Sequence, residues 1–495
     1  MKHFVSKLSL EEVFASHEPL SYPIFIESMV LYLTTAHDDK SRSILKLTDG
    51  TKDWCVTPKG YSLGTKINVY GGKPFWLLES GLVFCNQLDQ CLYMQSQDSL
   101  NSKESMSSPR RLSILPSKQI TYMYSDVHEI SSEHFVEIVV RNDNRKTEAE
   151  NTCFIGLIDA NNLEAPPKIL VEGADFYSNL VVNQKSELAW VEWDHPNMPW
   201  DENRLRTAKL NEMQLTNVKT VQLRPDMTGA SHCQLAFNIE GGLLVSVDFT
   251  NASGADNYWN VYQVSNTGNK VAQLTQEETE FGYPHWQYGD SRITSLGSSE
   301  VAVIGSDETS DTLYLLDCES NSMHVLYQNN STLQHLSAND RGDLLFIETT
   351  ANDRPQIVSI EIPVDKIGNE SAVTNSKVVE SKVVESRAAK PIRRRDNRYE
   401  LPISLAKPIN YPCKDGGSAH AFYYPPIDHS GNKSIEQNEL PPLLVMVHGG
   451  PTARAYGHFD IQKQFWCSHG FAILDVNHRG SSGFGRRYRD ALYGQ

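Results

Sequence analysis

The residues best placed to do chemistry lie toward the carboxyl end of the chain. An apolar run, Leu443-Leu444-Val445-Met446-Val447, stops at His448-Gly449-Gly450-Pro451. A short apolar run followed by two glycines and a proline reads as a buried strand entering a sharp turn. Glycines let the backbone approach a ligand and leave N–H groups bare. Donors fixed in place before negative charge develops on a carbonyl oxygen stabilise an oxyanion. A plain tight turn at a strand end would carry the same residues without chemistry. A second run, Phe471-Ala472-Ile473-Leu474-Asp475-Val476, closes on Asn477-His478-Arg479-Gly480. Arg479 thus falls near the same site, where its ordinary role would be to tie the loop down through hydrogen bonds to carbonyls.

Three elements must position these turns. Both apolar runs read as strands apolar throughout, as in a sheet covered on both faces. The stretch between them has helical character, with Ile461, Phe465, Trp466 and His469 on one face. Strand, crossover helix and strand make a βαβ unit, which is parallel and right-handed. That setting gives the glycine turn its weight. In α/β-hydrolases a loop N–H after the third strand helps to bind the oxyanion, and a His-Gly-Gly motif is one form of it.

Other reactive-looking groups read as structure. Asp194 and His195 are adjacent, and neighbours on a strand point opposite ways, so they do not make a triad pair. Gly416-Gly417-Ser418-Ala419-His420 almost spells a nucleophile elbow, but the last position is His and the motif precedes the glycine turn. Ser418 is therefore read as a hairpin residue, between Ile409-Asn410-Tyr411 and Ala419–Tyr424, with the turn at Asp415-Gly416-Gly417. The eight cysteines, at 55, 85, 91, 153, 233, 318, 413 and 467, contain no C-x-x-C and no metal-type spacing. Free thiols in a reducing compartment fit them best. A formal net charge of −16 argues against nucleic acid or an anionic membrane as partner. No apolar run is long enough to span a bilayer, and Met1–Lys7 lacks the apolar core of a signal peptide.

The 495 residues exceed one ordinary domain. Residues 1–20 suggest a helix around Leu8–Ser16, capped by Ser9 or Ser6. Residues 21–362 are short β-rich runs separated by polar turns, among them Met29–Thr34, Phe135–Val140, Leu188–Trp193, Leu243–Phe249 and Leu344–Glu348. Units of about 40–50 residues are the rhythm of propeller blades, and the stretch would hold about seven. A set of β-sandwiches would share this texture, but no helical linkers break it. The run Trp193–Trp200, with two prolines, reads as a rigid apolar loop, either blade packing or a wall of a substrate chamber. Residues 363–400 read as a linker. Lys-Val-Val-Glu-Ser occurs twice there, within Ser376–Ser386, and Lys390–Arg395 is a basic cluster, more often a solvated patch than a localisation signal.

Several motifs together resemble the prolyl oligopeptidase family of serine peptidases, in its acylaminoacyl-peptidase-like branch. They are His448-Gly449-Gly450-Pro451, Asn477–Gly485, Gly173–Ser178 with Trp190–Asp201, Glu280-Phe281-Gly282-Tyr283-Pro284-His285-Trp286, and Val69-Tyr70-Gly71-Gly72. The resemblance implies a mainly β fold: a seven-bladed β-propeller at 21–362 followed by the first part of an α/β-hydrolase domain at 401–495. It implies that the Gly450 N–H is an oxyanion donor beside Gly449, and that His448 stands where some members carry a tyrosine hydroxyl. A serine-type peptidase acting on short peptides is the function it implies, in the cytoplasm, with no cofactor, no metal, no nucleic acid and no membrane partner; a homo-oligomer is left open. No Gly-x-Ser-x-Gly follows Gly450. The nucleophile, Asp and His are expected beyond Gln495, so these residues are expected to be a truncated form, inactive alone. An open sheet edge then predicts poor solubility. The alternative is a non-catalytic propeller that binds peptides or partner proteins.

Overall fold

The computed structural model describes residues 6–15, 19–36, 41–97, 100, 108–144, 151–250, 257–265, 270–297, 299–362, 390–392, 401–414, 416–429, 440–450 and 452–494. The tandem repeat within 376–386, Arg393–Arg395, Asp415, Pro451 and the first five residues lie outside them. Strand dominates. Five four-stranded antiparallel sheets follow one another in chain order, beginning at Ser21–Ile26, Phe75–Leu78, Ile120–Ser131, Phe176–Val182 and Thr228–Phe237. A seven-stranded sheet from Ile293–Ser295 to Lys390–Pro391 continues the series. Its long strand Ser322–Ala338 pairs with Asp311–Asp317 through one half and with Leu344–Thr349 through the other.

Strands such as Leu344–Thr349 are apolar at successive positions because both of their faces are covered. Side chains alternate across a strand. Leu344 and Phe346 accordingly join one buried cluster, with Ile304, Leu313 and Val358. Leu345 and Ile347 join another, with Val30 and Tyr32 of the first sheet, so the end of the series packs against its beginning. In the third sheet Val136, Ile138 and Val140 face the fourth, while Phe135 and Val139 face the second. This stack is what forces runs of fully buried apolar residues, and it explains why the β-rich runs are legible in the sequence.

A repeated irregularity marks five of the strands. The pairing slips near Tyr22, Asp126, Asn179, Gln234 and His335, each of which has φ near +50°. Such bulges re-aim a side chain. These five side chains bond or pack across to other sheets or to the segment before Ile293. Asp126 accepts from the Leu180 N–H at 3.1 Å, and Gln234 Oε1 accepts from the Arg292 N–H at 2.6 Å. Asn179 meets His285 at 3.0 Å, His335 meets Asp290 at 2.6 Å, and the Tyr22 ring lies 4.2 Å from that of His335.

The last sheet has the order Lys407–Pro412, Ser418–Tyr424, Ala472–Asn477, Leu443–Val447. The first two strands form the expected hairpin, with Ser418 at its turn end. Leu443–Val447 and Ala472–Asn477 pair in parallel, joined by helix Ile461–Ser468. Two expectations fail here. Leu443, Val445 and Val447 are 52, 58 and 59% exposed, because their strand is an edge with only one face covered; Leu444 and Met446 face the core. The helix buries Lys463, Gln464, Cys467 and Ser468, not the face of Phe465, Trp466 and His469. Polar partners decide this: Lys463 Nζ lies 2.6 Å from Asp475, and Gln464 exchanges two hydrogen bonds with the Ser404 backbone. Helix Leu10–Ala15 follows a reciprocal cap between Ser9 and Glu12 and packs against Ile461–Ser468. Ser6 and Lys7 also bond Ser468 and His429. Lys390–Pro391, within the stretch read as a linker, pairs with Val358 and Ser359 as the outer strand of the seven-stranded sheet.

Candidate active site

His448, Gly449 and Gly450 leave the carboxyl end of the edge strand, and His478, Arg479 and Gly480 leave the same end of its parallel neighbour. The crevice beyond the carboxyl ends of parallel strands is where open α/β sheets bind ligands. Asn477 fixes the spacing: its side chain accepts from the Ala455 N–H at 2.7 Å and donates to the Ala455 carbonyl at 3.1 Å. Ser482 N–H donates to the Ala453 carbonyl and Gly480 N–H to that of Tyr488. The two loops and helix Arg486–Asp490 are thereby knitted into one unit.

Gly450 adopts φ +62°, a left-handed conformation that favours glycine. Gly449 has open space where a Cβ would stand. His448 points elsewhere: its Nε2 lies 2.7 Å from Ser481 Oγ, and its ring stacks on His478 at 4.6 Å. Burial, then the His478 neighbour, holds His448 below the usual histidine range. The Ser481–His448 spacing is that of a nucleophile and its base. Ser481 is fully buried, however, so its hydroxyl anchors the histidine instead of meeting a substrate. Arg479 is partly buried in the loop, and its carbonyl accepts from His478 Nδ1 at 2.9 Å.

The β-rich region supplies the opposite wall, which residue-by-residue reading of the sequence left unpaired with this loop. Trp286 packs on Gly450, and Trp200 and Tyr70 pack on Trp286 at 4.6 and 5.1 Å between ring centroids. Trp193, at the other end of the tryptophan-rich run, stacks on Phe176 at 5.2 Å and serves sheet packing. Asp194 is an ion-pair partner of Arg204 at 2.8 Å, which removes it from any triad.

Buried charge clamps the two regions together. Asp248, fully buried, takes Arg486 at 2.9 Å and Arg489 at 2.5 Å. Arg489 also lies 4.1 Å over the Trp259 ring. Glu280 accepts from the N–H groups of Trp259 at 3.0 Å and Gly485 at 3.1 Å. Burial raises its carboxyl to about 7, against the pull of Arg489. Arg454 donates to the Asp307 and Glu308 carbonyls at 3.0 Å, and Phe459 N–H to that of Thr350 at 2.8 Å. All eight cysteines are free thiols. Among the described residues no cluster of three metal-ligating side chains occurs, and no helix is long and apolar enough to cross a membrane.

Comparison with known proteins places this geometry in a class. The chain superposes over its whole length on a puromycin hydrolase, with a TM-score of 0.82 and 21% identity, covering 71% of that chain. An acylaminoacyl peptidase of Pyrococcus horikoshii gives 0.62 at 13% identity, covering 97% of this chain and 68% of the other. One of two prolyl endopeptidases gives 0.64 at 14% identity, covering 96% and 63%. The fold is therefore that of the prolyl oligopeptidase family (S9) peptidases, as the motifs implied. Among curated proteins, dipeptidyl aminopeptidase BIII of Pseudoxanthomonas mexicana is 31% identical over 94 residues, 19% of this chain and 14% of that one. The uncharacterised peptidase YuxL of Bacillus subtilis is 24% identical over 203 residues, 41% of this chain. The chain thus spans only 14 and 27% of these two relatives. No family model matches it.

Proposed function

We propose that this chain is the β-propeller and the first hydrolase strands of a serine-type peptidase of the prolyl oligopeptidase family that acts on short peptides. Counting Ser322–Ala338 as the last strand of one unit and the first of the next gives seven four-stranded units, which supports reading them as blades. On this reading residues 21–362 are the propeller, 1–20 an N-terminal helical segment, 363–400 a linker and 401–495 the partial hydrolase domain. The observation that carries it is Gly450, left-handed, at the carboxyl end of a parallel strand and facing an aromatic wall. Its N–H is the oxyanion donor, with Gly449 and His448 shaping the loop and Arg479 tying down the next one. The neighbours support a peptide substrate, since a puromycin hydrolase mutant was solved with PGG. The propeller would keep folded proteins from the chamber, and the enzyme would work in the cytoplasm.

No Gly-x-Ser-x-Gly follows Gly450, which supports reading this chain as one that lacks the Ser/Asp/His triad and should be inactive alone. A serine-reactive fluorophosphonate is expected to leave the purified chain unlabelled; stoichiometric labelling would refute that assignment. Reading the transcript past the codon for Gln495 tests the peptidase itself. An in-frame Gly-x-Ser-x-Gly followed by Asp and His is expected, and a stop codon there would favour the non-catalytic binding propeller.

A further inference from the structure

We infer that Trp286, a residue of the β-rich region, is a positioning residue for the oxyanion loop: its indole sets the orientation of the Gly450 N–H. The inference rests on reading Gly450 as the oxyanion donor. A Cβ on Gly450 would lie 3.1 Å from Trp286 Cζ2, 3.4 Å from Cη2 and 3.6 Å from Cε2. The loop backbone therefore rests directly on the ring. Glycine is favoured here twice, by φ +62° and by this close approach.

The indole is held by packing. Its Nε1 is buried with no hydrogen-bond partner. Trp200 tilts against it at 4.6 Å and Tyr70 meets it edge-on at 5.1 Å. Both supports are themselves braced. The Trp200 carbonyl accepts from Arg489 at 3.3 Å. The loop bearing Tyr70 is stitched to the Trp286 loop by the Tyr288 N–H to the Gly71 carbonyl at 3.2 Å and the Lys73 N–H to the Tyr288 carbonyl at 2.8 Å. Residues far apart in the chain thus form one aromatic bracket behind Gly450. An oxyanion donor acts only when fixed before charge develops, and small misplacements are costly. A rigid wall from the other region supplies what a two-glycine loop lacks by itself.

Amide hydrogen exchange on the 495-residue chain tests this. Trp286→Ala is expected to speed exchange at Gly449 and Gly450 by about tenfold, with the amides of Ala472–Asn477 unchanged. Trp286→Phe keeps a flat ring and should restore the wild-type rate to within about threefold. Tyr70→Ala, which removes only an outer support, should give a smaller effect at the same amides. Unchanged exchange at Gly450 in Trp286→Ala would overturn the inference. So would a uniform rise across 443–494, or failure of Trp286→Phe to rescue. If Trp286→Ala does not fold, an unchanged Gly450 rate in Tyr70→Ala overturns it. Fluorophosphonate labelling and the downstream sequence judge the peptidase reading separately, so the two can fail independently.

Discussion

In the β-rich region, neighbouring sheets meet through apolar side chains: Leu345 and Ile347 of the last sheet pack on Val30 and Tyr32 of the first. The C-terminal sheet has a small core of its own, around Phe422, Tyr424, Cys467 and Ile473, and the region that carries it meets the β-rich region through buried charge at Arg486 and Arg489, through Arg454, and through Gly450 on Trp286. Apolar contact is non-directional and tolerates adjustment. A buried ion pair fixes one arrangement and is unforgiving when a partner is lost. The difference suits a scaffold that must hold its shape and a second region that must sit in register against it.

Breaking the clamp should have the largest effect. Asp248→Ala leaves Arg486 and Arg489 buried without their carboxylate, a loss of about 3–5 kcal/mol. Limited proteolysis should then cut within 401–494 while the β-rich region stays intact; simultaneous loss of both would show that they fold as one unit. The converse change is Leu345→Ala, which empties part of the contact between the last and first sheets. It should cost about 3 kcal/mol and lower the melting temperature of the β-rich region by calorimetry, leaving the Asp248 clamp formed.

Acid should sharpen the contrast. His232 is buried, its Nδ1–H donates to Asn203 Oδ1 at 2.7 Å, and burial lowers its pKa to about 4. Between about 6.5 and 4 the unfolded chain binds this proton and the folded one does not, so stability falls with falling pH. The loss amounts to roughly 3 kcal/mol at most. His232→Gln should flatten urea midpoints over that window, and an unaltered slope would discard the assignment. Glu280 works in the opposite direction. Its raised carboxyl is neutral in the folded state up to about 7, so its contribution is lost as pH rises from the ordinary carboxylate range toward 7. The smallest effect belongs to the surface: Asp226→Asn removes an exposed partner of Arg224 and should leave the melting temperature unchanged.

The local pattern was legible where local forces decide it. Runs such as Leu243–Phe249 and Leu344–Glu348 became strands because residues 243–248 and 344–348 are all buried, on one face or the other. The hairpin around Gly416 and the parallel pairing across helix Ile461–Ser468 were equally readable, while the choice between Ser9 and Ser6 as cap fell to the structure, which uses Ser9. The helix face was not. Its aromatic residues suggested a core, but Asp475 and Ser404 lie on the opposite side and draw Lys463 and Gln464 inward. The exposure of Val445 and Val447 was likewise hidden, since apolar composition does not say whether a strand is an edge.

By itself, then, the chain's local order of residues determined which segments extend and where they turn, the glycine pair after residue 448 among those turns. The tertiary structure decided that Trp286 stands against Gly450, that Asp248 receives two arginines some 240 positions away, and that residues 6–15 pack on helix Ile461–Ser468. The reason is physical. Backbone geometry follows from neighbours in sequence, whereas the burial of a charge or the seating of a ring depends on partners that only the folded chain brings together.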